Sequence, residues 1–461
     1  MMTIWSKLND TGLKSEQIAF QIRSHIEAGL LKPGDKLPTQ RRLAEHLEIT
    51  VGTVTRAYAL AHQQGLVETR TGSGSYVKSI QARSHYWGEK RPDQQHLGLW
   101  QNTAVDMQRA PKLQTLFSSY LDQDDYLEEL LDDDFSQSPL QARKTLCQWM
   151  LNHGINMQEE HLFFSYGVQH GLNLSIYALD LVGESLLCEA QVYPGLITLA
   201  KQLNIRLYPV RLDEDGLCPY DLQTQLEKHH CRAIYLTPTL QNPTTAVMPL
   251  TRRQQILELC QQHKVTIIED DVCGLLPAKR PTSFINLDPD SVIHLNGFSK
   301  GALKGLRFGF LHCPASMIES FKSAIRASAW NTSPMLVDLA MQWITRGYAD
   351  QALKQQRELL QQRAQLLRHI LKPFDYHYHD GSLHVWLRLP DMWTSHSFAA
   401  QAKLKGVEVA DAEHFCINRK SIPNNVRLSL GQVKSNVELE TALSIIQELL
   451  LSPPETKFEL M

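Results

Sequence analysis

Side chains able to do chemistry stand at the ends of short apolar runs in the middle of this 461-residue chain. Lys300 follows Ser299 at the end of "SVIHLNGFSK", and its amine can condense with a carbonyl carbon to a Schiff base. Asp270 ends "VTIIED", where a carboxylate can pair with a cationic ring nitrogen. Asn242 precedes Pro243 in "LTPTLQNPTT", a rigid turn that presents an amide. Tyr193 follows the run "LLCEAQV", placed so that its ring can lie flat on a heterocycle. Tyr166-Gly167-Val168-Gln169 opens a helix predicted over His170 to Leu179. A glycine turn at a helix N-terminus offers N–H groups and a positive dipole end to a phosphate. Arg307, seven residues after Lys300, adds a cation.

Each of these residues has an ordinary reading when taken alone: a surface lysine, a helix cap, a sheet-edge cation. Taken together and in order, they meet the needs of one cofactor, pyridoxal phosphate. It requires a lysine amine (Lys300), an anion beside the pyridine nitrogen (Asp270) and a donor at the phenolic oxygen (Asn242). It also requires cationic and N–H donors for its phosphate, here Arg307, Ser299 and the Gly167–Val168–Gln169 turn.

The elements that must position these residues alternate between short apolar strands and longer helices. "ESLLCEA", "IRLYPV", "RAIYLTP", "VTIIEDD", "SVIHLNG" and "RFGFLHC" are strand-like, and helical segments separate several of them. This pattern predicts an α/β domain over 101–455 with a largely parallel sheet, its site at the strand ends, and a smaller α/β subdomain as its C-terminal part.

The first 78 residues are different. Ile18, Ile22 and Ile26 make one stripe on a first helix that Gly29 ends. Thr39 is placed to cap a second helix carrying Leu43, Ala44 and Leu47, and Thr50 a third carrying Val54, Ala57 and Ala61, with Gly65 at its C′ position. Leu66–Arg70 and Ser75–Val77 alternate around a glycine-bearing tip, as a β-hairpin does. Three short helices and a hairpin make a winged helix-turn-helix, whose third helix suits the major groove of duplex DNA. Thr50, Thr53 and Arg56 would lead that helix into the groove, with Gly52 allowing close approach. Arg41, Arg42 and Arg70 would meet phosphates.

Charge agrees with this division. Residues 1–78 carry ten Lys and Arg against seven Asp and Glu, so the net −3 of the whole chain divides into +3 and −6. Residues 79–100 lose apolar periodicity and read as a linker, or as a strap laid on the second domain through Tyr86, Trp87 and Trp100. Arg83, Lys90 and Arg91 would extend the basic surface. Eight Asp and Glu between Asp122 and Asp134 make either a solvated face or a surface for the basic N-terminal domain. No apolar run is long enough for a membrane span, and none resembles a signal peptide. The eight cysteines form no CxxC pair, which argues against a zinc site and fits a cytoplasmic protein.

Residues 17–78, through "LPTQRRLAEHLEITVGTVTRAYALAHQQGLVETRTGSGSYV", resemble the GntR-type regulator domain, and residues 160–315 resemble the fold-type I aminotransferases. The whole chain resembles the MocR subfamily of GntR-type regulators. The resemblance continues in "GSLHVWLRLP" and in "NVRLSLG", where Arg427 falls at the position that binds a substrate α-carboxylate. It implies a dimeric, pyridoxal-phosphate-dependent transcription regulator with an amino-acid-type effector. An active aminotransferase carrying a DNA-binding arm is a second reading, and a DNA-binding protein whose large domain only dimerises, with no bound chromophore, is a third. The departures from the family pattern bear on that choice. Val272 stands where a Tyr is usual, Gly297 where a hydroxyl is usual and Thr245 where Gly is usual. The Tyr expected to reach a partner subunit's phosphate corresponds at best to Phe135.

Overall fold

The structure, a computed structural model, describes residues 4–6, 8–9, 12–28, 30–32, 34–63, 66–70, 73–77, 96–105, 107, 109–121, 139–418 and 421–453. Gly29, Gly65, Thr71, Gly72, Lys78, Tyr86, Trp87, Phe135, the acidic run and the linker's basic residues lie outside the described residues, as does the side chain of Arg70. The chain divides into two units, Met1–Asp93 and Gln94–Met461.

The first unit holds three helices, α1 (Lys14–Glu27), α2 (Gln40–His46) and α3 (Val51–Gln63), then strands Val67–Arg70 and Gly74–Val77. The apolar stripes are why these segments pack. Ile18 and Ile22 of α1, Leu43 of α2 and Val54, Ala57 and Ala61 of α3 are fully buried in one cluster. Thr39 caps α2 by accepting from the Arg42 N–H at 3.4 Å, and Thr50 accepts from the Thr53 N–H at 3.3 Å. The two strands pair antiparallel with Val67 opposite Val77 and Arg70 opposite Gly74. The predicted winged helix-turn-helix is therefore present. Trp5 also seals the core, edge-on to His25 with ring centroids 5.4 Å apart, a contribution the sequence reading did not include.

The second unit is built on a seven-stranded sheet. Its order is Leu162–Ser165, Gly309–His312, Val292–Gly297, Thr266–Asp270, Ala233–Leu236, Ser185–Glu189, Arg206–Val210. The last five are mutually parallel, and Gly309–His312 runs antiparallel to both its neighbours. Along Ala233–Leu236, alternate residues join two different buried clusters, so the strand is covered on both faces. Such burial is the reason these strands read as continuous apolar runs rather than as alternating ones. The helix predicted from His170 begins two residues earlier, at Val168, directly after Gly167 at φ 81°.

A five-stranded sheet forms the C-terminal part, in the order Tyr376–His377, His384–Arg388, Asn425–Ser429, Val407–Asp411, Leu97–Leu99. Its last strand differs from expectation. Leu97–Leu99, assigned from sequence to the linker, pairs parallel with Val407–Val409 and buries Leu99 completely. Three residues are too few to show a period. The strand becomes visible only through its partner; Trp100, which follows it, keeps its side chain exposed. Among the described residues no helix is long and apolar enough to cross a membrane.

Candidate functional site

A cleft of about 820 Å³ opens at the ends of the parallel strands in the second unit. Val168, Gln169, Tyr193, Asn242, Asp270, Ser299, Lys300, Arg307 and Arg427 all line it, although up to 259 residues separate them in sequence. The cleft thus gathers all but one of the predicted cofactor and effector residues. Gly167, the exception, lies one step behind: a Cβ added to it would meet the Arg307 guanidinium at 3.4 Å. Its neighbour Gly309 packs so tightly that a Cβ there would stand 2.6 Å from the Gly167 Cα. The two glycines let a backbone turn and the Arg307 guanidinium approach one small volume, as an anion site requires.

Asp270 ends its strand buried. The Tyr235 hydroxyl donates to one of its oxygens at 2.6 Å and the Val272 N–H to the other at 3.2 Å. Burial pushes its pKa up, and these two donors with nearby Lys300 pull it back. Lys300 is half-buried and donates from Nζ to the Asn102 carbonyl. Burial lowers its pKa, which favours the neutral, nucleophilic amine.

Arg427 is 5% exposed. It donates to the Asn242 side-chain carbonyl at 2.7 Å and to the Trp100 carbonyl, and its guanidinium lies 4.7 Å from the Phe415 ring centroid. Burial brings its pKa down to about 9. Among the described residues no carboxylate pairs with it, which leaves its charge available to an anionic ligand. Asn242 is joined to Pro243 by a cis peptide bond and is held from behind by Gln241. That buried side chain donates to Glu189 at 3.1 Å and to the Gln191 carbonyl at 2.7 Å. It also accepts from the Thr244 N–H at 2.9 Å and hydroxyl at 2.7 Å. All four of its hydrogen-bonding valences are used, which fixes the turn that carries Asn242. Tyr193 has its hydroxyl pKa raised by burial, and Gln169 is tied to the Gly195 carbonyl at 3.1 Å.

These residues fit pyridoxal phosphate. The cleft joins a buried carboxylate, a desolvated amine, an aromatic wall and an anion cradle. Among the described residues, buried polar atoms without a protein partner remain on Arg427 (Nε), Thr237 (Oγ1) and Gln169 (Oε1), all three from residues lining the cleft. Buried groups of this kind normally find a partner, and a polar ligand would provide one.

Gly297 needs a different account from the sequence-based one. It lies inside its strand, paired with Gly309, and a Cβ there would meet the Phe308 carbonyl oxygen at 2.8 Å. Its lack of a hydroxyl follows from backbone packing as well as from any change in ligand contact.

Sequence reading missed Tyr235, Gln241, Asn102 and Phe415, and it named Trp100 only as a strap residue, not as a partner of Arg427. Tyr235 and Gln241 are read there as strand and turn residues. Trp100 and Asn102 act through backbone carbonyls, which side-chain type does not reveal.

In the first unit Arg41, Arg42, Thr50 and Arg56 are exposed and Thr53 is half-buried. The Thr50 and Thr53 hydroxyls are 2.9 Å apart, and Arg56 Nε donates to the Gly52 carbonyl at 3.4 Å. Thr55 donates to Gln40 at 2.8 Å, tying α3 to the start of α2. This leaves polar and cationic groups at the N-terminal ends of α2 and α3, the ends that face DNA in such modules.

Residues 136–446 match the model of the aminotransferase class I and II family. The chain belongs to this family. Residues 14–77 match a second model, that of the gntR family of bacterial regulatory proteins. Curated relatives of nearly equal length match along most of the chain, across both of these regions. The uncharacterized HTH-type transcriptional regulator YdeF of Bacillus subtilis is 26% identical over 94% of this chain and 93% of its own. The uncharacterized HTH-type transcriptional regulator YdcR of Escherichia coli is 25% identical over 87% and 92%. Among solved structures, the α-aminoadipate aminotransferase LysN of Thermus thermophilus superposes with a TM-score of 0.69 at 21% identity, over 77% of this chain and 92% of its own. The kynurenine aminotransferase of Pyrococcus horikoshii gives 0.70 at 20% identity, over 78% and 91%. Those two likenesses establish the fold of the second unit. A GntR-type helix-turn-helix joined to a class I and II aminotransferase domain is the arrangement of the MocR-type transcription regulators.

Proposed function

We propose that this aminotransferase-class chain is a transcription regulator whose second unit binds pyridoxal phosphate and an amino-acid-type effector, and whose first unit binds DNA in a way that depends on that occupancy. The convergence of Lys300, Asp270, Arg307 and Arg427 on one cleft carries this reading. Lys300 would hold the cofactor's aldehyde carbon, Asp270 the ring nitrogen, Tyr193 one ring face and Asn242 the phenolic oxygen. Arg307, Ser299 and the Gly167–Gln169 turn would hold the phosphate. When bound, pyridoxal phosphate supplies an electron sink and a carbonyl that amines can capture. Arg427 would take the effector's carboxylate, with Trp100 and Phe415 walling off water. Arg41, Arg42, Thr50, Thr53, Arg56 and Arg70 would meet the DNA. A ligand that binds two arrangements of the protein unequally shifts the balance between them. This regulatory reading also includes a homodimer and a cytoplasmic location.

The test is direct. Purified protein mixed with pyridoxal phosphate should turn yellow, and borohydride should fix the cofactor to the peptide containing Lys300. Labelling elsewhere, or no labelling with cofactor in excess, would contradict the assignment. The aminotransferase reading rests on the presence of Lys300, Asp270 and Arg427 together. Brisk steady-state turnover with an amino donor and a keto acid would favour it.

A further inference from the structure

The structure assigns a positioning role to Tyr235: its hydroxyl orients the Asp270 carboxylate that is to meet the cofactor's ring nitrogen. This inference rests on the cofactor reading above. Tyr235 lies in the strand Ala233–Leu236, level with Ile268 of the neighbouring parallel strand. Asp270 is two residues further along, on the same face as Ile268, about 6.6 Å up the strand at the usual rise per residue. A tyrosine ring pointing along that diagonal spans the gap, and its hydroxyl reaches Asp270 Oδ2 at 2.6 Å. A shorter side chain at 235 would not.

The ring is fully buried, and its hydroxyl hydrogen is directed at the Asp270 carboxylate, with the Thr237 hydroxyl as a further neighbour of the phenol oxygen. The Val272 N–H takes the other carboxylate oxygen at 3.2 Å. Two donors from two directions fix the carboxylate plane, while each oxygen keeps lone-pair capacity for a further donor from the cleft. The charged and titratable groups facing Asp270 are Asp271, Glu189, Lys300, Cys273 and Tyr193. Glu189 and Asp271 oppose its charge. The Tyr235 hydroxyl and Lys300 favour it. Tyr235 thus contributes orientation together with support for the ionised form. Tyr235 itself does not line the cleft, so it acts through Asp270.

The experiment uses the full-length chain with pyridoxal phosphate as the probe, comparing wild type, Tyr235→Phe, Asp270→Asn and the double variant. Tyr235→Phe should weaken cofactor binding about tenfold, the size of one hydrogen bond to a charged group, and should alter the pH dependence of the bound cofactor's absorption. In the Asp270→Asn background the same change should have almost no effect, because the group it acts through is gone. A purely structural role would lower the melting temperature and leave affinity and spectrum unmoved. A readout without any change at position 235 guards against a variant that does not fold. Wild type should show a far-downfield hydroxyl proton resonance that Asp270→Asn abolishes. Equal affinity and spectrum in Tyr235→Phe, an undiminished effect of that change in the Asp270→Asn background, or a resonance that persists in Asp270→Asn would each overturn the inference alone. Failure of wild type to bind the cofactor would overturn the cofactor reading as well.

Discussion

The Arg427 guanidinium donates to the Asn242 side-chain carbonyl at 2.7 Å, across 185 residues of sequence. This contact ties the residue proposed for the effector's carboxylate to the one proposed for the cofactor's phenolic oxygen. Arg427 is buried, and among the described residues it has no carboxylate partner and its Nε makes no hydrogen bond. Arg427→Ala should therefore weaken binding of amino-acid-type carboxylates by about 1.5–3 kcal/mol, the usual loss for a hydrogen bond to a charged group. Its effect on cofactor affinity should be smaller. Asn242→Ala should reduce both. Titration of the cofactor-loaded protein with a panel of amino acids, followed by absorption, measures each. Equal effector affinity in Arg427→Ala and wild type would remove Arg427 from the site.

Gly297 yields a prediction opposite to the one its sequence position suggests. Restoring a hydroxyl with Gly297→Ser should not strengthen cofactor binding, because the new Cβ would stand 2.8 Å from the Phe308 carbonyl. Overpacking of this kind costs typically about 1–3 kcal/mol. Thermal melting should show the loss. A variant that is as stable as wild type and binds the cofactor more tightly would show that the hydroxyl usual at this position is a lost ligand contact.

Glu189 sets a pH dependence. Burial raises its pKa from 4.5 to about 8, against the pull of hydrogen bonds from Gln241 and Thr237. A carboxyl raised in the folded state binds more protons there than in the unfolded chain between those two values. Its contribution to stability is therefore full below about 4.5 and is lost as the pH rises to about 8. Glu189→Gln keeps an acceptor for both donors and removes the ionisation. It should match wild type near pH 4.5 and melt higher near pH 8. Parallel melting curves across that range would show that Glu189 does not titrate in the folded protein.

In the first unit, Arg41→Ala and Arg56→Ala should each weaken duplex binding. A base-reading contact is worth about 1–3 kcal/mol, and each phosphate contact should flatten the salt dependence by about one. Affinity measured at several salt concentrations on a duplex selected from a random pool separates the two. A double variant with unchanged affinity and slope would place the DNA surface elsewhere.

Much of this was legible in the chain, for identifiable reasons. Lys300, Asp270 and Asn242 stand at the ends of fully buried strands or turns, where an apolar run stops at a polar residue. The stripe of Ile18 and Ile22 and the cap at Thr39 exposed the helices of the first unit. Other features depend on contacts between distant segments. The strand Leu97–Leu99 exists through its pairing with Val407–Val409, and a three-residue run carries no period. Trp100 and Asn102 reach Arg427 and Lys300 with backbone carbonyls, which every residue possesses. Tyr235 looks like any aromatic in a buried strand until the register sets it diagonal to Asp270.

The central claim is that occupancy of the Lys300 cleft acts on DNA binding. The decisive comparison is the affinity of cofactor-loaded wild type and of Lys300→Ala for one selected duplex, at fixed salt, with and without an amino acid that perturbs the cofactor's spectrum. A regulator built this way should show different affinities for loaded wild type and Lys300→Ala, and only wild type should respond to the amino acid. Identical affinities in all four conditions, together with rapid transamination by wild type, would contradict the account.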